Sequence, residues 1–349
     1  MNESNLKIIT QEASELSEDE WLDLSKFMKQ FPTRIKRSTG SDYYKSKLLN
    51  SPFGISFVTR VIDTNKKCVG LTTLTKKMFV NENKNYPAYE LGDSYVSSKF
   101  QGKGIYSKIL DDTLSNYKLK NNCSFLYSTP NKNSIRGLLK KGFMLSNYQI
   151  FTKILPLNFS LFNNLFFIRL LSKFYLLFIK IFLTIISQDK SLKIYKINNL
   201  IDLPKFDLHC NQIEQYRSFE YLNWRFIDNP DTYLIYSVYV KKKYVGYIIF
   251  KEGLHNSKNV LYLADLFLHK DKLSYTRKII SRIILLNYKK YAFVSAWMSK
   301  KSFYWKYILY CLPITYKKIP FIIHKDLSDK IFFDENKSIH FVLSDGDNI

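Results

Sequence analysis

The 349-residue chain is poor in the residue types that build disulfide, metal and nucleophile sites. Its four cysteines lie far apart and form no CxxC pair, which favours a reducing cytoplasm. Five scattered histidines stand at no metal-ligand spacing from another ligand, so no metal site is predicted. No Ser/His/Asp or Cys/His nucleophile pattern occurs, and the polar, acidic residues 1–21 are unlike a signal peptide. These absences predict a cytoplasmic protein that uses neither a metal nor a covalent nucleophile.

Acidic residues are scarce as well, because 30 Asp and Glu oppose 53 Lys and Arg and leave a net charge of +23. The excess is mostly lysine and is spread over both halves of the chain. We interpret it chiefly as a bias of composition, and a nucleic-acid partner is not predicted. A surface with this charge would still attract anions such as nucleotide sugars or acidic lipids.

The most informative segment is SSKFQGKGIYSKIL, residues 97–110. Residues 89–96 before it have strand character, and residues 105–119 place apolar side chains on one helical face. Gly102 and Gly104 lack the Cβ atoms that would keep the backbone away from a phosphate. We therefore expect a strand, a tight turn and a helix whose first N–H groups face an anion such as a pyrophosphate.

This segment resembles the acetyl-CoA-binding signature of the GNAT acyltransferase superfamily: Gln or Arg, two residues, Gly, one residue, then Gly or Ala. Gln101, Gly104 and Tyr106 occupy those places, and Tyr106 departs from the small residue expected. We expect its ring to narrow the pyrophosphate pocket. The resemblance implies that acetyl-CoA is the co-substrate. Its implied contacts follow the strand end, the turn and one later Asn, namely Tyr95, Val96, Ser97, Gln101, Gly102, Lys103, Gly104, Ile105, Tyr106 and Asn131.

Residues 123–143 extend the likeness, because they resemble the next GNAT strand and a helix ending in Gly-Phe. Asn131 stands where the family has an Asn that faces CoA. Leu138 stands where many members have a Tyr that protonates the leaving thiolate, so that general acid is missing. The resemblance covers about residues 5–153.

The chain also repeats itself at an offset of roughly 177 residues. Val69-Gly70 recurs as Val245-Gly246, and LGDSYV recurs as LADLFL, whereas QGKGIY is replaced by a stretch without glycine. We predict an α/β (α+β) protein with two GNAT-like domains, each a mixed, mostly antiparallel sheet flanked by helices. Their predicted bounds are 1–153 for the CoA-binding domain, 154–190 for an apolar helical linker and 191–349 for a degenerate domain.

The resemblance also implies how acyl transfer would proceed, by direct attack of an amine on the thioester. In this family the strand before the glycine turn splays away from its neighbour. A Glu at the distance of Glu90 from Val96 serves as the general base in some members. Asp93 is the alternative base and is expected on the opposite face. Because Asp93 recurs in the degenerate half as Asp265, we favour Glu90. Tyr127 and Tyr106 are the nearest phenols that could act as the acid.

Helices that end near Pro52 and Pro230 carry matching aromatic and basic residues. One interpretation is packing of each helix on its own sheet, which we favour. The other is recognition of the acceptor, in which an arginine would bind a phosphate and a Trp would stack on a sugar. The candidates for that role are Arg217, Tyr221, Trp224 and Arg225.

Residues 160–187 form an apolar segment that places Arg169, Lys173 and Lys180 on one helical stripe. Such a helix suits the plane of a membrane interface. A buried linker and a transmembrane helix are the alternatives, and the second would place two cations near the middle of the bilayer.

Together these patterns predict an acetyl-CoA-dependent N-acyltransferase. Its acceptor would be a small-molecule amine, such as an amino group on a sugar nucleotide or a lipid-linked sugar. Tandem GNAT proteins with one degenerate half look like acyltransferases of bacterial surface-polysaccharide pathways, which work in the cytoplasm beside the inner membrane. The alternatives are a Fem-like transferase that uses aminoacyl-tRNA, and an inactive membrane-associated binding module.

Overall fold

A computed structural model describes most of the chain: residues 6–30, 40–82, 84–116, 119, 121–157, 166–200, 203, 212–229, 231–255 and 258–346, with the side chains of 166–173 left out. The strands are β1 (Lys7–Glu12), β2 (Phe57–Ile62), β3 (Cys68–Asn81), β4 (Lys84–Val96), β5 (Phe125–Ser128), β6 (Phe143–Leu145), β7 (Ile150–Pro156), β8 (Leu192–Ile197), β9 (Gln212–Gln215), β10 (Tyr233–Val240), β11 (Lys243–His255), β12 (Lys258–Leu268), β13 (Phe293–Ser299), β14 (Ile314–Ile319), β15 (Ile322–His324) and β16 (Ser338–His340). The α-helices are α1 (Glu18–Met28), α2 (Ser41–Leu48), α3 (Ile105–Ser115), α4 (Ile135–Leu139), α5 (Phe166–Ser187), α6 (Phe219–Phe226), α7 (Thr276–Asn287) and α8 (Trp305–Cys311).

The described residues form two compact units. Unit 1 comprises 1–147, 215–230 and 320–337, and unit 2 comprises 148–214, 231–319 and 338–349. The sheet of unit 1 runs in the order β1-β2-β3-β4-β5-β15-β6. Its neighbours are antiparallel except for β4 and β5, which are parallel.

Helices cover both faces of the unit 1 sheet. Helix α1 begins at Ser17, whose side chain and that of Glu20 form a capping box, and buries Trp21 and Leu24. These side chains pack with α2 against Val58 of β2, on the face that we call the α1 face. On the other face, the α3 face, side chains of β2, β4 and β5 pack against α3 and α4.

Unit 2 repeats this arrangement, with a sheet in the order β14-β7-β13-β12-β11-β10-β8. Strands β12 and β13 are its parallel pair, and α7 and α8 pack on one face with α5 beside α7. The short strand β16 lies parallel to β9. The predicted fold class, mixed and mostly antiparallel sheets flanked by helices, is therefore confirmed.

The units do not follow the expected boundaries at residues 153 and 190. Strand β7 pairs with β13 and β14 of unit 2, although it follows β6 directly. Strand β15 from the second half of the sequence pairs with β5 and β6 of unit 1. Each sheet thus takes a strand from the other half of the sequence, an exchange that a linear repeat does not reveal.

Helix α5 belongs to unit 2 and has two different faces. Ile179 and Leu183 are 4% and 0% exposed and pack in the core of the unit. The opposite face carries large apolar side chains that are 51–66% exposed: Phe174, Leu177, Phe178, Ile181 and Ile185. Of the predicted basic stripe, the Lys180 side chain is exposed, whereas those of Arg169 and Lys173 lie outside the described residues. Among the described residues, no helix has both the length and the apolar character needed to cross a membrane.

Candidate active site

The glycine turn predicted to hold a pyrophosphate has the expected backbone. Gly102 and Gly104 adopt φ of +77° and +71°, a backbone region that residues other than glycine rarely adopt. A Cβ atom at either position would find no atom within 4 Å, so the turn is open. Helix α3 starts immediately after it at Ile105. The first N–H groups of an α-helix lack helical acceptors, so this opening can receive an anion, and Lys103 is exposed beside it.

Tyr106 does not point into this turn as the sequence suggested. Its ring packs between α3 and α4, where a Cβ on Gly137 would lie 3.0 Å from the tyrosine Cε1. Burial raises the pKa of the Tyr106 hydroxyl to about 12. The bulky residue is thus accommodated by a glycine on the next helix. The expectation that its ring narrows the phosphate site is wrong.

Strands β4 and β5 separate just before this turn. Their parallel pairing runs from Ala88 with Phe125 to Glu90 with Tyr127, and β4 then continues to Val96 paired with β3 but not with β5. Where β4 leaves its partner it has a bulge, because its register with β3 shifts and Asp93 adopts φ of +47°. Tyr95 and Val96 therefore lie on the stretch of β4 beyond its pairing with β5, and Ser97 follows directly after it.

The side chains around this stretch hold the turn to the strand. The Gln101 carboxamide donates a 2.8 Å hydrogen bond to the Val96 carbonyl oxygen. Val96 and Ile105 pack together on the α3 face, whereas the Tyr95 ring lies 5.4 Å from that of Phe27 on α1. Strand, turn and helix thus form one connected site.

The two candidate bases, Glu90 and Asp93, lie on the same face of the sheet. Glu90 forms an ion pair with Lys77, and Asp93 accepts a 3.3 Å hydrogen bond from the Thr73 hydroxyl. Thr73 and Lys77 are four residues apart on a regular stretch of β3, so they share the α1 face. The prediction that Asp93 faces the other side is wrong, because the bulge changes the alternation of β4.

Asp93 is bound within its own unit. Its carboxylate accepts a hydrogen bond from the Lys47 ammonium group of α2, and the two side chains are 0% and 7% exposed. Asp265 of unit 2 accepts hydrogen bonds from the Leu266 N–H at 2.9 Å and the Tyr247 hydroxyl at 3.0 Å. An aspartate thus stabilises the bulged strand in both units, which fits a structural role.

Glu90 lies deeper than Asp93 and is 1% exposed. Its carboxylate is 3.7 Å from the Lys77 ammonium group, which is equally buried. Tyr127, its neighbour on β5, is 0% exposed, with its ring 4.9 Å from that of Phe125 and 5.6 Å from that of Phe79. This enclosure puts the Tyr127 phenol inside an aromatic cluster, away from solvent.

The remaining CoA-side residues have plain structural contacts. The Asn131 side-chain oxygen accepts hydrogen bonds from the N–H groups of Asn133 and Ser134, at 2.9 and 3.0 Å, and holds the turn before α4. Leu138 is 1% exposed in the core.

Burial raises the pKa of three described thiols to about 12, which disfavours them as nucleophiles: Cys68, Cys123 and Cys311.

The four proposed acceptor residues are all buried within unit 1, with exposed fractions between 0% and 7%. The Tyr221 ring stacks on Phe53 at 5.4 Å, and the Trp224 indole donates a 2.6 Å hydrogen bond to the Ser46 carbonyl of α2. Arg217 donates a 2.8 Å bond to the Gln215 carbonyl, and Arg225 is 7% exposed. These contacts favour the packing interpretation of the helix before Pro230.

Unit 2 has the same strand separation, but its own chain fills the opening. Strands β12 and β13 pair only from Val260 to Leu263, and β12 continues to Leu268. The Tyr304 hydroxyl accepts a 2.7 Å hydrogen bond from the Leu268 N–H. His340, near the C-terminus, has Nε2 3.2 Å from the Leu266 carbonyl oxygen and Nδ1 2.9 Å from the Ser302 hydroxyl.

These two contacts fix the tautomer of the His340 imidazole. Nε2 faces a carbonyl, which only accepts, so Nε2 carries the proton and Nδ1 accepts from Ser302. The Phe341 carbonyl then accepts a 3.3 Å bond from the Ser299 N–H of β13. The C-terminal segment thus bridges both separated strands. The sequence analysis missed this closure, because a single His-Phe pair gives no signal of its partners.

Comparisons with known proteins support the fold. No protein-family model and no curated protein matches the chain. Among solved structures, a GCN5-related N-acetyltransferase from Anabaena variabilis has a TM-score of 0.59 at 13% identity, covering 91% of this chain and 72% of its own. Saccharomyces cerevisiae N-myristoyltransferase with bound myristoyl-CoA has a TM-score of 0.58 at 14% identity, covering 96% and 84%. A GCN5-related N-acetyltransferase from Kribbella flavida has 0.54 at 6%, covering 93% and 72%. The chain therefore has the fold of these acyltransferases, as the GNAT resemblance predicted.

Proposed function

We propose that the protein is an acyl-CoA-dependent N-acyltransferase whose CoA site lies in unit 1. The observation that carries the proposal is the coincidence of an open, left-handed glycine turn at the start of α3 with the stretch of β4 that no longer pairs with β5. The turn suits a pyrophosphate and the strand edge suits the amide groups of pantetheine. The names of the similar structures, N-acetyltransferases and an N-myristoyltransferase with myristoyl-CoA, support the same chemistry.

The reaction we propose is direct attack of an amine on the thioester carbonyl. The nitrogen forms the new amide bond, the carbon–sulfur bond breaks, and the amine loses a proton. Glu90 would accept that proton through an intervening water, because its carboxylate is enclosed. Asp93 would hold the bulge that opens the strand. With Leu138 apolar and Tyr127 enclosed, we propose that the departing thiolate takes its proton from water.

For the substrates we propose an acetyl donor and an amino group on a sugar or a related small precursor, with a role in surface polysaccharide. A titration with acetyl-CoA, myristoyl-CoA and tRNA tests the donor and separates the Fem-like alternative. Binding of tRNA without binding of either CoA ester would contradict the proposal. Binding of CoA esters without transfer to any of a panel of amino sugars would favour the inactive module.

The variant that tests the site is Gly104→Val. A Cβ in the turn should obstruct the pyrophosphate and lower CoA affinity by at least about a hundredfold. Gly54→Val is the matched control, because Gly54 has φ of +105° and equally open space but lies outside the turn. Both variants carry the same kind of backbone strain. Calorimetry that shows equal CoA affinity for the two variants would remove the site from this turn.

We propose also that α5 contacts an anionic membrane surface. Five large apolar side chains lie on its exposed face, at successive spacings of three, one, three and four residues. An exposed apolar stripe of this size is typical of an interaction surface. Lys180 is exposed on the same helix and the chain carries a net charge of +23, which complements acidic lipid. This placement would bring the enzyme to lipid-linked acceptors.

Cosedimentation with anionic vesicles tests this contact. We expect binding that weakens as salt rises and that is lost in a Phe178→Glu, Ile181→Glu double variant. Tyr310→Glu serves as the control, since Tyr310 is 60% exposed elsewhere in unit 2. Wild-type protein that stays in the supernatant at low salt would exclude the membrane contact.

A further inference from the structure

Unit 2 has an aromatic-lined pocket of about 320 Å³ on its sheet. This volume is at the lower end of the range of small-molecule sites, about 300–1,000 Å³. Strands β7, β12, β13 and β14 contribute its main lining residues, which are Thr152, Tyr262, Phe293, Ser295, Trp297 and Lys317. No function described above uses this pocket.

The floor of the pocket carries the hydroxyl groups of two residues with little exposed surface. Ser295 and Thr152 are 2% and 7% exposed, and they lie on neighbouring strands that pair directly. Within the part of the chain that the structure describes, neither side chain makes a hydrogen bond. Both residues line the pocket, so a ligand that carries its own donors and acceptors can form hydrogen bonds with these hydroxyl groups.

The walls of the pocket are aromatic. Trp297 and Phe293 alternate with Ser295 along β13, so all three side chains point to the same face, and Tyr262 lies opposite Ser295 on β12. The His255 ring packs edge-on against Phe293 at 5.6 Å. Flat aromatic walls above a hydroxylated floor match a pyranose ring, whose C–H face packs on aromatic rings and whose hydroxyls form hydrogen bonds.

We infer that this pocket binds a saccharide. An acyl chain would leave both floor hydroxyls without partners, so its burial here would be disfavoured. Lys317 is exposed at the mouth and would favour a sugar that carries a phosphate or a carboxylate. The inference rests on the proposed function for its biological meaning, since the saccharide would be the acceptor or the chain that carries it.

The sequence repeat relates one residue of the pocket, Tyr262, to a residue of unit 1. Tyr262 stands where the repeat has Glu90 in unit 1, and Asp265 matches Asp93 three residues later. A carboxylate that can accept a proton is thus replaced by a ring that can stack on a ligand. Under the proposed function, unit 1 would use this point of its sheet for transfer and unit 2 would use it for binding.

Saturation-transfer NMR tests the inference with glucose, glucosamine, N-acetylglucosamine, glucose 6-phosphate and, as the apolar competitor, octanoate. We expect saturation transfer to at least one sugar at millimolar concentration, stronger for the phosphate, and none to octanoate. Trp297→Ala should lower sugar affinity by about tenfold or more. Ser295→Ala, which keeps the aromatic walls, should lower it several-fold.

Tyr310→Ala is the matched control, because this exposed tyrosine of unit 2 does not line the pocket. Equal sugar affinity in Trp297→Ala and Tyr310→Ala would overturn the inference, as would binding of octanoate alone. Acetyl-CoA affinity is measured on the same samples. If the wild-type protein binds acetyl-CoA but none of the sugars, the saccharide inference is refuted and the proposed function is unaffected.

Discussion

The two units share a strand order and differ in what occupies the opening between their parallel strands. In unit 1 the Val96 carbonyl accepts from Gln101, a side chain of the glycine turn itself. In unit 2 the corresponding Leu268 bonds to Tyr304, and His340 reaches the same strand from the C-terminal segment. Unit 1 is therefore open to a ligand where unit 2 is bonded to its own chain. The fold alone does not make a CoA site.

The comparison also separates what maintains the opening from what uses it. A buried aspartate bonds near the bulge in both units, at Asp93 and Asp265, although its partners differ. The glycine turn and the enclosed Glu90 occur in unit 1 alone, within the matched segments of the repeat. Features shared by both units thus belong to the architecture. Features that differ are the candidates for chemistry.

The largest effect that would sharpen this comparison concerns Glu90. If Glu90 accepts the amine proton, Glu90→Gln should lower turnover by roughly two to four orders of magnitude while CoA affinity stays unchanged. Steady-state kinetics together with calorimetry measure the two quantities. Glu18→Gln is the control, since the Glu18 side chain is 85% exposed in the same unit.

The outcome also tests the role of Asp93. Near-normal turnover in Glu90→Gln, with a large loss in Asp93→Asn at retained stability, would transfer the role of base to Asp93. Loss of folding in Asp93→Asn would instead agree with its buried bonds to Lys47 and Thr73.

A smaller effect is expected from opening unit 2. Tyr304→Phe removes the hydroxyl that bonds the Leu268 N–H and leaves that buried group without its partner. The free energy of unfolding should fall by about 1–3 kcal/mol. Urea denaturation measures this change, with Tyr310→Phe as the exposed control.

In the same variant, Tyr304→Phe, the CoA stoichiometry should stay at one per chain, because unit 2 lacks the glycine turn. A second bound equivalent of CoA would contradict the comparison.

The sequence predicted the features that depend on local backbone chemistry. The turn at Gly102 and Gly104 and the strand and helix around it follow from glycine conformation and apolar periodicity, and the structure has them. The repeat predicted the second sheet, because its strands depend on the same hydrophobic patterns.

The features that the sequence did not reveal depend on distant partners. The bulge that puts Asp93 beside Thr73 changes the alternation on which face assignments rest. The place of the Tyr106 ring depends on Gly137, which is 31 residues away. The exchange of β7 and β15 has no local signal, because each strand pairs with residues far from it in the sequence.

The smallest predicted effect contrasts two buried lysines on corresponding central strands. Lys76 of β3 and Lys251 of β11 are 7% and 9% exposed. Lys251 forms a 2.6 Å ion pair with Asp231, whereas Lys76 bonds to the Asn122 carbonyl oxygen and lies 4.1 Å from the centre of the Tyr89 ring. Burial lowers the pKa of Lys76 from 10.5 to about 8. The two lysines should therefore respond to replacement in opposite directions.

At pH 7 the folded protein carries Lys76 as a buried cation, so Lys76→Met should raise the free energy of unfolding by roughly 1–3 kcal/mol, after allowance for solvent screening. Between pH 8 and pH 10.5 the unfolded chain keeps this proton and the folded protein releases it, so wild-type stability rises with pH in this window. The advantage of Lys76→Met should therefore shrink toward pH 10. Lys251→Met should instead lower stability at pH 7, because Asp231 loses its ion-pair partner. Urea denaturation at pH 7 and pH 10 measures both, and a Lys76→Met advantage that grows with pH would contradict the burial of a charged Lys76.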